Sequence, residues 1–160
     1  MISIIPLESF GKHPQAEAIK AIMIEAVKYF PELEGQAVYL GVCDVLRHED
    51  NIASCDIENS LIRFSNQEQI TFVTVFHELM HIVQYQNKFP RTEESCSVHA
   101  MARMPEELID SDCIPYLGTG DRKTNGIVCR NAIAYKNSGK RNYISYAMKA
   151  LEKMNENKNQ

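Results

Sequence analysis

The chain has 160 residues, 44% of them hydrophobic, and a net charge of −4. That length carries one compact domain with a real core, and the acidic balance leaves no basic footprint for nucleic acid. No apolar run is long enough to span a membrane. Met1-Ile2-Ser3-Ile4-Ile5-Pro6 lacks the basic start and long apolar core of a signal peptide. The expectation is a single domain over 1–160, working in the cytoplasm without a nucleic-acid or membrane partner. Cys43, Cys55, Cys96, Cys113 and Cys129 are odd in number and form no C-x-x-C pair. This argues against a disulfide framework and against a four-cysteine zinc knuckle. They read as reduced thiols, most of them acting as small buried apolar residues.

Residues 14–30 predict the first helix. Ala18, Ile19, Ile22, Met23, Ala26, Val27 and Phe30 recur at helical spacing, Pro14 suits the first position and Pro31 ends the run. His13, just before it, reads as a surface or capping residue rather than a ligand. Residues 37–46 read as a strand, and His48 falls in the polar turn that follows. Residues 52–64 predict one or two more strands, with Leu61-Ile62-Arg63-Phe64 half-buried or at a sheet edge. Ser65 followed by Glu68 has the form of a capping box. It announces a helix from about Asn66 to about Gln86. A second helix starts at Glu93 behind Thr92 as N-cap and stops near Met104, because Pro105 disfavours helix before it. Residues 106–109 form a short helix with Pro105 at its first position. Residues 117–126 are the most loop-like stretch, and 127–135 leans to helix. Asn137-Ser138-Gly139 is a break, Tyr143 to Met154 is a final amphipathic helix, and 155–160 is a polar tail.

The helix expected after Ser65 contains His77-Glu78-x-x-His81, the HExxH spacing of zinc-dependent hydrolases. Residues four apart on a helix lie nearly one above the other, so two imidazoles can grip one ion. Glu78 sits about 100° further round, where a carboxylate can take a proton from a metal-activated water. Val73, Val75, Phe76, Leu79, Met80, Ile82 and Val83 make the helix apolar on almost every side, hence buried. Two histidines and a glutamate there need polar partners, which a zinc ion and its water would supply.

A catalytic zinc usually has three protein ligands and one open position. The His-x-x-Gly-x-x-His solution is excluded, because Gln84 and Asn87 occupy the relevant positions. Glu93 and Glu94 open the next helix. A short turn after the metal helix would let that second helix run back antiparallel and present one carboxylate. The elements together predict an α+β fold. A small, twisted, mostly antiparallel sheet packs on a buried HExxH helix, a second antiparallel helix supplies a glutamate, and further helices lie at both ends.

Phe76-His77-Glu78-Leu79-Met80-His81, followed by Glu94-Ser95-Cys96-Ser97-Val98-His99 and ending in Met104-Pro105, resembles the gluzincin clan of zinc metallopeptidases. It is most similar to the small cytoplasmic ImmA/IrrE type and the minigluzincins, over residues 60–105. In the ImmA/IrrE type the second helix begins with the ligand glutamate and ends in a Met-Pro pair. The resemblance therefore favours Glu94 over Glu93. It implies one Zn2+ held by His77, His81 and Glu94, with Glu78 as general base in peptide-bond hydrolysis and a peptide or protein as substrate. Two positions depart from the clan. Val98 stands where larger members orient a histidine with an acid, and His99 stands where the ImmA/IrrE type has a small residue. His99, Arg103, Tyr116, Tyr135 and Tyr143 are candidates for stabilising the oxyanion. An extended peptide would add to Leu61-Ile62-Arg63-Phe64 if that strand is an edge. In minigluzincins a C-terminal segment can fill the cleft and hold the enzyme latent; the resemblance makes self-inhibition by residues 118–160 a further expectation, though nothing in their sequence requires it. Cys96, two residues from Glu94, would block the metal if ionised. The competing reading is a zinc-bearing regulatory or sensor protein of the same fold with little or no proteolytic turnover.

Overall fold

Alternation along the strands sets which face of the sheet is buried. The computed structural model describes residues 1–43, 52–66 and 68–158. The expected turn around His48 and the end of the strand expected over 37–46 lie outside the described residues. Two compact units emerge, Met1–Phe89 and Pro90–Gln160.

The first unit opens with β1 (Ser3–Pro6), α1 (Ala16–Ala26) and β2 (Ala37–Cys43). β1 and β2 pair in parallel, Ile4 beside Val38, which obliges the chain to cross over through α1. β3 (Ala53–Asp56) and β4 (Leu61–Ser65) follow, then α2 (Phe72–Asn87). The strand order is β1-β2-β4-β3, with β2 and β4 parallel and β3 and β4 antiparallel. The α+β class stands, but the sheet is mixed, with two parallel ladders and one antiparallel, rather than mostly antiparallel. β4 is interior, not an edge; β3 covers its free side, so a peptide cannot add there. Val38, Leu40, Ile62 and Phe64 are fully buried on one face. Tyr39, Leu61 and Arg63 alternate with them on the more accessible face. α1 packs against β1 and α2, and α2 packs against β3.

The capping box at Ser65 does not form. Ser65 belongs to β4, paired with Cys43, and its N–H donates to the Ile52 carbonyl at 2.8 Å. Gln15 then holds the approach to the helix: its Nε2 donates to the Glu68 carbonyl at 2.7 Å and its Oε1 accepts from Ile70 N–H at 3.1 Å. The helix starts at Phe72, with Thr71 as N-cap accepting from Thr74 N–H at 3.2 Å. It ends on Lys88 in the left-handed region (φ 55°), whose N–H caps the Gln84 carbonyl. α1 is likewise shorter than the apolar pattern suggests; Val27–Tyr29 and Pro31–Leu33 tighten into 3-10 turns. His13 is buried rather than superficial. Its Nε2 donates to the Ser65 carbonyl at 2.8 Å and its Nδ1 accepts from Gln15 N–H at 3.0 Å.

The second unit contains α3 (Glu93–Arg103), a hairpin of β5 (Cys113–Ile114) and β6 (Gly118–Thr119), α4 (Arg122–Asn137) and α5 (Tyr143–Lys158). α3 runs as expected, from the Thr92 cap to Met104. Pro105 caps a 3-10 turn, Glu106–Leu108, instead of entering it. The stretch 117–126 is less loop-like than its composition suggests, because α4 already begins at Arg122. Asn125 is fully buried in that first turn, and its side chain donates to the Asp112 carbonyl at 3.3 Å. Gly139, at φ +90°, makes the break between α4 and α5 in a backbone region that suits glycine. α5 continues past Met154, so much of the expected tail is helical. The three helices pack on one another. No helix among the described residues is long and apolar enough to cross a membrane.

Candidate metal centre

α2 is surrounded by apolar packing. Phe76 meets Phe30 and Tyr29, with ring centroids 5.3 and 5.8 Å apart, and Val75, Leu79, Met80, Ile82 and Val83 are fully buried. Inside this setting His77 is 5% exposed and Glu78 6%, with His81 half-buried. The helix brings the two imidazoles together as its four-residue spacing requires. Their Nε2 atoms are 3.1 Å apart and the rings stand nearly perpendicular, at 89°.

That separation tests the fit to a metal. Zinc–nitrogen bonds of about 2.0–2.1 Å would make two nitrogens 3.1 Å apart subtend about 100° at a shared ion, near tetrahedral. Imidazole nitrogens are common ligands of divalent cations. His77 and His81 therefore form a candidate zinc-binding pair, with Glu78 on the next position of the same helix.

Glu78 has a neighbour that the sequence does not announce. Cys55 on β3 pairs with fully buried Ile62, which places it in register with the helix-covered face. Burial raises the Cys55 thiol's pKa, the carboxylates of Glu78 and Asp56 raise it further, and Arg63 only partly opposes them. Cys55 is therefore a protonated thiol within electrostatic reach of Glu78. It is not a reactive thiolate.

Glu93 and Glu94 occupy the first turn of α3, both half-buried, with Thr92 Oγ1 accepting from Ser95 N–H at 3.1 Å. Fully buried Cys96 and Ser95 follow. The Ser97 hydroxyl donates to the Pro115 carbonyl at 2.5 Å. His99 faces a network within its own unit. Its Nε2 lies 3.4 Å from both the Tyr143 hydroxyl and Lys136 Nζ. Burial, then Lys136 and Arg103, lower its pKa to about 4, so it is a neutral acceptor at pH 7. Tyr135 stacks on Tyr146 at 4.8 Å. Tyr116 is 55% exposed, at φ 64°, between β5 and β6. The five cysteines form no disulfide.

No family model, curated protein or solved structure matches the chain.

Proposed function

We infer that this protein binds one zinc ion through His77 and His81, and that the site serves regulation or sensing more than turnover. The carrying observation is the convergence of two imidazole nitrogens, 3.1 Å apart, on a buried helix. The third donor is proposed to come from α3. Glu94 is the one that the gluzincin resemblance implies, and the buried thiol of Cys96 is the other candidate. Two histidines and a glutamate are a catalytic set. A thiolate donor neutralises more of the ion's charge and suits a holding or sensing role. Binding needs only the donors, and that economy supports the regulatory reading.

Peptide hydrolysis is the second reading, favoured by Glu78 next to the ligand His77. Zinc, when bound, supplies a Lewis acid that polarises a carbonyl and acidifies water. In this reading Glu78 takes the proton of the attacking water and delivers it to the leaving amine of a peptide or protein substrate. Its burial beside protonated Cys55 keeps the carboxylate out of bulk water. Self-inhibition by 118–160 in the cytoplasm belongs to this reading.

Elemental analysis separates the possibilities. One zinc per chain is expected, lost in His81→Ala; zinc retained in that variant would remove the metal site. Comparing Glu94→Gln with Cys96→Ser identifies the third donor by which one sheds zinc. Digestion of a peptide library then decides turnover. Cleavage that falls at least about a hundredfold in Glu78→Gln, with zinc retained, establishes the peptidase. A zinc-loaded wild type that cuts nothing establishes the binding role.

A further inference from the structure

Within the second unit, a cleft of about 430 Å³ lies between the 3-10 turn after α3 and the first turn of α4. Glu106 and Glu107 line it from the turn, Arg122 and Lys123 from the helix, and Ile109 supplies the apolar lining. Both elements are fixed from inside the unit. Leu108 N–H donates to the Pro105 carbonyl at 3.0 Å and Ile109 N–H to the Glu106 carbonyl at 3.2 Å, which sets the turn. On the helix side, fully buried Asn125 donates to the Asp112 carbonyl at 3.3 Å. Ile109 is 5% exposed, and a Cβ at Gly126 would stand 2.9 Å from its Cδ1. Glycine is poor in a helix interior. Here it lets the isoleucine seat against α4.

Two observations set this cleft apart from ordinary charged surface. Acids suit the first turn of a helix and cations oppose its dipole, yet α4 opens with Arg122 and Lys123 and has no acid in that turn. Helix stability does not account for them. Nor do the opposite charges lining the cleft neutralise each other. Arg122 Nε binds Asp112 Oδ1 at 3.1 Å, and among the described residues Glu106, Glu107 and Lys123 make no ion pair.

We propose that this cleft binds a small zwitterion, an ammonium and a carboxylate on an aliphatic frame, as in a free amino acid or a dipeptide. Arg122 and Lys123 take the carboxylate, Glu106 and Glu107 take the ammonium, and Ile109 packs on the aliphatic part. Charge-assisted hydrogen bonds are the stronger kind, and the volume falls among those of small-molecule sites. A purely anionic ligand is opposed by the two glutamates and a purely cationic one by Arg122 and Lys123. The site lies wholly in the second unit and does not rest on the zinc reading.

The test is NMR titration of the full chain, in chelator so that no metal competes for the ligand. Leucine and leucyl-leucine are the probes. Saturable shifts of the amides of 106–109 and 122–126 are expected with at least one, and the tighter probe separates a free amino acid from a peptide. The same probe with its amine acetylated, or with its carboxylate amidated, should bind roughly tenfold more weakly or worse. Lys123→Gln should weaken the unmodified probe about tenfold and leave the amidated one unaffected. Glu107→Gln should do likewise against the acetylated one. Both residues are exposed, so the melting temperature should hold. The proposal is overturned if neither probe binds, if the shifts fall on other residues, if the blocked forms bind equally, or if both variants bind like the wild type. None of these outcomes touches the zinc site.

Discussion

α2 and α3 each begin on a capping threonine and each carry histidine into an apolar setting, yet the imidazoles meet different surroundings. On α2 the Nε2 atoms of His77 and His81 face each other at 3.1 Å, one ring nitrogen against another. On α3 the Nε2 of His99 faces two donors, the Tyr143 hydroxyl and Lys136 Nζ, both at 3.4 Å. The protein itself satisfies the acceptor on His99, and the nearby cations oppose its protonation. The α2 pair is arranged so that a single cation would satisfy both rings at once. A histidine on a helix face thus serves as a candidate ligand or as a structural acceptor according to what its ring nitrogen meets.

The sharpest way to break this comparison is metal binding itself. His77→Ala should lose zinc by a hundredfold or more, whereas His99→Gln should lose roughly tenfold at most, the scale of an indirect effect. Equal losses, read by chelator competition, would place His99 among the ligands and erase the distinction.

Acid stability probes the other side. The His99 pKa falls from 6.5 in the unfolded chain to about 4 in the folded one. Its contribution to stability is therefore complete above about pH 6.5. It is lost as pH falls from there towards 4, because the unfolded chain takes up a proton that the folded one refuses. The 6.5-to-4 difference corresponds to on the order of 3 kcal/mol. Urea unfolding in chelator at about pH 7 and about pH 4.5 should show wild type losing more stability than His99→Gln. Parallel losses would mean that His99 is not held neutral.

The smallest effect is at the caps. Thr71→Ala and Thr92→Ala each remove one side-chain acceptor from a helix start, Thr74 N–H and Ser95 N–H respectively. Each should cost about 1 kcal/mol in thermal or urea unfolding. If Thr92→Ala also weakens zinc beyond Thr71→Ala, the first turn of α3 matters to the metal as proposed. If the two variants match in zinc affinity, the caps are purely local.

Cys55 illustrates what no local pattern announces. It stands in a short strand among polar residues, and its place beside Glu78 depends on pairing between β3 and β4 and on packing of β3 against α2. Ser65 illustrates a local signal overruled. The Ser-to-Glu spacing is a sound cap, but β4 captures Ser65 through the ladder with β2 and the bond to the Ile52 carbonyl. The loop-like composition of 117–126 is overruled similarly, where burial of Asn125 supports the first turn of α4.

The sequence by itself determined that a helix would carry His77, Glu78 and His81 together, and that a second helix would run from Thr92 to Met104. Both follow from periodicity, capping and proline, which act within a few residues. Only the tertiary structure decided that β4 is interior, that the helix carrying His77 and His81 begins at Phe72, that Cys55 lies near Glu78, and that His99 is a neutral acceptor tied to α4 and α5. Those outcomes depend on hydrogen bonds and desolvation between segments far apart in the chain, and no local spacing encodes them.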